Sequence, residues 1–119
     1  MKTFFGIFIF LISMTINAES WIELERSESC ISFIDRDSIK HKSDYSFYTT
    51  KSKCDEKYIY IDKMKHDCKF KARQGLWRHS YAIGYPEYNK IIDKPTNMLK
   101  YDRNQRMAVI EEMVCQKAK

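Results

Sequence analysis

Between Lys63 and Arg73 the chain reads KMKHDCKFKAR, and its residues sort by parity. One set is Lys63, Lys65, Asp67, Lys69, Lys71 and Arg73. The other is Met64, His66, Cys68, Phe70 and Ala72. Successive side chains of a strand point to opposite faces, so this period of two places one set in water and the other on a core. A one-residue slip would bury the lysines, so the pattern constrains the register as well as the element. It predicts one extended run from Tyr58 to Arg73, a hairpin turn at Gln74-Gly75, and a return strand from Leu76 to Gly84.

With a two-residue loop at Gln74-Gly75, Arg73 faces Leu76, Lys71 faces Arg78, and Cys68 faces Tyr81. Ala72, Phe70, Cys68 and His66 then share a core face with Trp77, His79, Tyr81 and Ile83. Lys63, Lys65, Lys69, Lys71 and Arg73 form a cationic rail on the other face, beside Arg78 and Ser80. The rail is the candidate binding surface. Its competing reading is the solvated side of an antiparallel sheet, which is common.

Strands are also expected at Trp21 to Arg26, where Ile22 and Leu24 alternate with glutamates, at Cys30 to Ile34, and at Tyr45 to Thr50. Asp35 to Ser38 reads as a turn, because Asp and Ser side chains bond nearby amides. Tyr88 to Ile92 reads as an edge strand, with Tyr85 and Tyr88 flanking Pro86 in a loop. The period then changes. Met107, Ile110, Val114 and Ala118 recur at helical spacing behind a cap at Asp102, with Gln105 reaching back. Lys117 and Lys119 suit the negative end of that helix. Strands followed by one terminal helix define an α+β fold, an antiparallel sheet with a helix on one face.

The start of the chain is of another kind. Lys2 precedes the apolar run Phe4 to Ile12, and Ala18 is a small residue before a cut. This predicts a Sec-type signal peptide over 1–18 and a single mature domain over 19–119. The run is short for a transmembrane anchor, and the first cysteine, Cys30, is too far from the cut to carry a lipid. The expected location is the periplasm or the exterior, where disulfides persist. The four cysteines, Cys30, Cys54, Cys68 and Cys115, allow three pairings. None of them forms a C-x-x-C pair, which argues against zinc. Cys68 lies on the expected core face, and the element covering that face is the terminal helix carrying Cys115. This predicts Cys68–Cys115 and leaves Cys30–Cys54. Each such bridge contributes on the order of 3–4 kcal/mol.

Several short motifs occur in one order: FIDRDSI at Phe33 to Ile39, HDC at His66 to Cys68, Arg73, Tyr81 and Gly84, and EEMVC at Glu111 to Cys115. In this the chain resembles the bacterial surface-adhesin protein E family. The resemblance implies a bent antiparallel sheet of about six strands with a C-terminal helix tied to it by Cys68 and Cys115. It also implies a non-enzymatic exported protein that binds extracellular-matrix glycoproteins and can form a homodimer. The chain departs from the family in lacking the lipid-anchor cysteine and the Trp and Pro-x-Ser lead into the helix. Met98 and Tyr101-Asp102 stand near those positions.

The formal charge of +5, which falls by one with Lys2, favours anionic partners such as anionic glycans and is mild for a nucleic-acid protein. No catalytic residue, cofactor or metal is expected. Asp35, Asp37 and Ser38 are turn chemistry, Ser80 has no nucleophile elbow, and the chain has no HExxH or phosphate loop. His66 and His79, expected on one face roughly 13 Å apart, cannot share a metal. The expected function is an exported binding protein acting through the basic sheet face. The alternative is a periplasmic structural or inhibitor-like protein that binds another bacterial protein by a sheet edge.

Overall fold

The computed structural model describes residues 20–115. The expected signal peptide lies outside the described residues, as do Lys117, Ala118 and Lys119. The elements are β1 Trp21–Arg26, β2 Cys30–Lys42, β3 Tyr45–Cys54, β4 Tyr58–Asp67, β5 Ala72–Ala82, β6 Tyr85–Ile92, β7 Leu99–Lys100 and α1 Gln105–Val114. β1 to β6 lie side by side in chain order, each antiparallel to the next. β7 pairs with the start of β5, beyond the reach of β6, so β6 and β7 share one edge. Between them Thr96 donates its N–H to the Gly75 carbonyl at 2.8 Å and accepts from the Gly75 N–H at Oγ1 at 3.0 Å. This is the antiparallel sheet with one C-terminal helix that the patterning predicts. Among the described residues no helix is long and apolar enough to cross a membrane.

Both predicted disulfides are present. Cys30 and Cys54 sit directly opposite each other at the ends of β2 and β3, and Cys68 joins Cys115 at the end of α1. The core between sheet and helix is small: Ile34, Tyr48, Met107, Ile110 and Val114, flanked by Ile22, Leu24, Ile39 and Met64. In β3 alternate residues Ser46, Tyr48 and Thr50 are buried, which is the period of two expected of a half-covered sheet. A core of this size is marginal alone, so two covalent staples have work to do. Ser46 Oγ adds a polar tie, donating to the Val114 carbonyl at 2.6 Å where the helix runs out of internal partners.

The hairpin turn is not at Gln74-Gly75. β4 ends at Asp67, and the turn is Cys68–Lys71, so Lys69, Phe70 and Lys71 are turn residues. Asp67 Oδ1 accepts from the N–H groups of Lys69 and Phe70, both at 3.1 Å, and Lys71 takes the left-handed conformation (φ 54°). Gly75 lies inside β5. Register runs Asp67 to Ala72, His66 to Arg73 and Met64 to Gly75. It then skips Leu76 and resumes with Lys63 to Trp77 and Asp62 to Arg78. One bulge residue inverts the parity of everything beyond it. Trp77, His79 and Tyr81 therefore face away from α1, and Arg78 faces toward it, the reverse of the expected assignment.

Three smaller expectations also change. β2 passes through Asp35 to Ser38 as a strand with an irregular register, and the turn chemistry is folded into it. Asp35 Oδ1 accepts from the Asp37 N–H at 3.1 Å, and Ser38 Oγ donates to the Asp35 carbonyl at 2.7 Å. The helix cap is Asn104 rather than Asp102; its Oδ1 accepts from the Met107 N–H at 2.8 Å. Tyr85 and Tyr88 belong to β6 rather than to a loop.

Candidate functional site

Directly opposed residues in an antiparallel pair share a face, so the registers divide the expected rail between two surfaces. Only Lys63 and Lys65 remain together on the face away from α1. Lys51 joins them across β3, paired with Ile61, in the row that continues to His79 and Ile91. The ammonium groups lie over aromatic rings: Lys51 is 4.4 Å from the Trp21 ring centre, Lys63 is 5.3 Å from that of Trp77, and Lys65 is 4.1 Å from that of Tyr45. Their stems cover apolar surface while the charges stay in water. Among the described residues no helix or strand is stacked on this outer face; α1 packs on the other side, against β1, β2 and β3.

Lys69 is in the β4–β5 turn and exposed. Lys71, in the same turn, reaches the Glu111 carboxylate of α1 at 3.6 Å. Arg73 and Arg78 lie on the helix side of the sheet. Arg78 grips Asp62 through two bonds of 2.6 and 3.1 Å and stacks 5.2 Å from the Tyr60 ring. Its hydrogen bond to Asp62 raises the Arg78 pKa. Arg78 does not face Lys71 as the expected hairpin has it; the register places the Asp62 carboxylate opposite the arginine.

The most organised polar group is internal. His66 is fully buried on the helix side, and both its ring nitrogens are occupied. Nδ1 is 3.1 Å from Tyr48 Oη and Nε2 is 2.7 Å from Tyr101 Oη. Arg73 Nε donates to Tyr48 Oη at 3.1 Å, and Tyr101 Oη donates to Glu111 Oε2 at 2.6 Å. Burial foremost, then the Arg73 charge, lowers the His66 pKa to about 4, against the pull of Glu111 and Asp67. Burial raises both tyrosines. Burial alone would raise Glu111 as well. Bonds from Tyr101 and Arg103 and the charges of Lys71 and Arg103 outweigh it and hold that carboxyl below its ordinary range. His79 is remote from this chain, on the outer face, bonded to Asn89 Oδ1 at 2.6 Å. His41 is exposed at the end of β2, 3.0 Å from Ser46 Oγ.

His66 approaches the Cys68–Cys115 bridge, with ligand-type atoms within 4.8 Å of one another. Both sulfurs are in the disulfide and both ring nitrogens are bonded to tyrosines, so the trio has no free donor for a metal. A second cation cluster was not legible as such. Lys94 and Arg106 line a cleft with Arg73, Arg78 and Asp62. The available signal was Arg106 itself, four residues before Ile110 and eight before Val114, on the edge of the apolar stripe. Compared with known proteins, the chain matches no family model, no curated protein and no solved structure.

Proposed function

We propose that this chain is an exported, non-enzymatic binding protein akin to the surface-adhesin protein E family, meeting an anionic partner through the outer face of its sheet. The observation that carries the reading is the row of Lys51, Lys63 and Lys65, each over an aromatic ring, on a face that no described helix or strand covers. Ammonium groups held in place over rings suit the sulfates or carboxylates of a sulfated glycan or an acidic glycoprotein. The two disulfides and the helix tethered by Cys68–Cys115 support export and the family resemblance. The test is binding of the oxidised protein to heparin, laminin, vitronectin and lipopolysaccharide at low and high salt. A Lys51→Glu, Lys63→Glu, Lys65→Glu variant is run in parallel. Saturable binding that salt weakens and the variant loses supports the reading; binding that survives both sinks it.

A second reading rests on β6. It ends the strand order, and every residue in it is exposed, including Tyr85, Tyr88, Ile91 and Ile92. An edge this open accepts another strand, from a second copy or from a bacterial protein in the same compartment. Light scattering of wild type against Ile91→Lys separates the two readings: edge pairing predicts a dimer that the substitution breaks, and a monomeric wild type removes the homodimer.

A further inference from the structure

Four cations from three separate parts of the chain converge on the helix side of the sheet. Arg73 and Arg78 come from β5, Lys94 from the segment between β6 and β7, and Arg106 from the first turn of α1. They line a cleft of about 510 Å³, within the range of small-ligand sites. Asp62 is the one carboxylate on its wall, and it is committed to Arg78. Among the described residues, Arg73, Lys94 and Arg106 form no salt bridge. Arg73 is held by neutral groups, Tyr48 Oη and Met107 Sδ. Arg106 Nε is buried and, among the described residues, has no hydrogen-bond partner. Burial and then the Arg73 charge push the Arg106 pKa down, while Glu25 and Asp62 attract it without touching it. A chain selected for stability alone gains nothing from two arginines crowded together over an unsatisfied donor.

We infer that this cleft binds a phosphate or sulfate monoester on a sugar-sized ligand. The guanidinium fork matches the spacing of oxygens on a tetrahedral oxyanion, and Lys94 adds a mobile point charge. With Asp62 counted, the wall carries a net charge of +3, which favours the dianion of a phosphate monoester over the singly charged sulfate monoester. Thr50 stands on the same wall with a hydroxyl for the sugar, and Met64 and Ile92 offer apolar surface to its ring. The cations of the cleft are on the opposite side of the sheet from the lysine row, and Trp77, under Lys63, is the lining residue the two surfaces share.

The test is titration calorimetry of the oxidised protein with glucose 6-phosphate, glucose 6-sulfate and, as neutral control, glucose. Saturable binding of either charged probe, weakened by salt and absent for glucose, is the expected result; which ester binds identifies the chemistry. Arg106→Gln and Lys94→Gln each weaken it about tenfold or more, as expected for a bond to a charged group. Lys63→Glu with Lys65→Glu leaves it unchanged. Arg106→Gln also raises the thermal midpoint of the free protein, because it removes like-charge repulsion and a buried unpartnered donor. No binding of either charged probe, equal binding of glucose, or unchanged affinity in the two cleft variants overturns the assignment. So does a lowered midpoint in Arg106→Gln, which would make that arginine structural.

Discussion

His66 donates from Nε2 to the hydroxyl of Tyr101 across 2.7 Å, and this one bond orients a chain of five residues. Tyr101 passes its own proton toward Glu111, so its oxygen must accept from the imidazole. Nδ1 is then the acceptor, served by the Tyr48 hydroxyl, whose oxygen in turn accepts from Arg73 Nε. The sequence of bonds runs from a guanidinium to a carboxylate with every donor facing an acceptor, and it requires a neutral ring. It also links β3, β4 and β5 to the segment before α1 and to α1 itself.

Acid should therefore unfold this protein through His66. The ring titrates near 6.5 when unfolded and at about 4 when folded. A lowered histidine pKa means the unfolded state binds the extra proton. Its contribution is complete above about pH 6.5 and is lost as pH falls toward 4, a change of about 3 kcal/mol. Glu111, held low, adds loss in the same direction below the ordinary carboxylate range. Urea midpoints between pH 7.5 and 4.5 should fall steeply for wild type and much less for His66→Asn. Parallel curves would show that another group titrates.

Removing the Cys68–Cys115 bridge as Cys68→Ser, Cys115→Ser should cost about 3–4 kcal/mol, since it opens the longer of the two closed loops. The helix should lose its hold on the sheet, with a lower unfolding midpoint and a weakened near-UV spectrum. A variant matching wild type in both would show that packing alone holds α1.

Ser46→Ala should cost about 1–3 kcal/mol despite its small size, because it strands the buried Val114 carbonyl at the helix end. Ser46→Thr, which keeps the hydroxyl, tests whether the bond or the volume matters. Equal losses in denaturant for the two substitutions would argue against the hydrogen bond.

Asn104→Ala should cost about 1 kcal/mol by freeing the Met107 N–H. Amide exchange should quicken at the first turn of α1 and stay unchanged in β3. Asp102→Ala should do far less, because its side chain does not cap the helix.

The order of the six long strands and the helix, the parity of Lys63 and Lys65 against Met64 and His66, and the stripe Met107, Ile110, Val114 were legible because each is written locally over a few residues. The disulfide pairing was legible too, although the route to it assumed Cys68 in a strand where it stands in a turn. What local pattern could not carry was parity across the β4–β5 hairpin. The glycine at 75 drew the expected turn, but the turn forms after Asp67, which the parity pattern treats as one more strand residue and whose carboxylate bonds two turn amides. The extra residue Leu76 then reversed which face Trp77 and Arg78 occupy. Nor does alternation say which apolar face is covered. A helix of ten residues is about 15 Å long and strands lie about 4.8 Å apart, so α1 spans about three strands. It covers β1 to β3, leaving Arg73 and Arg78 of β5 at the edge of a cleft. The sequence determined the elements; the turn, the bulge and the reach of one helix decided which side chains meet.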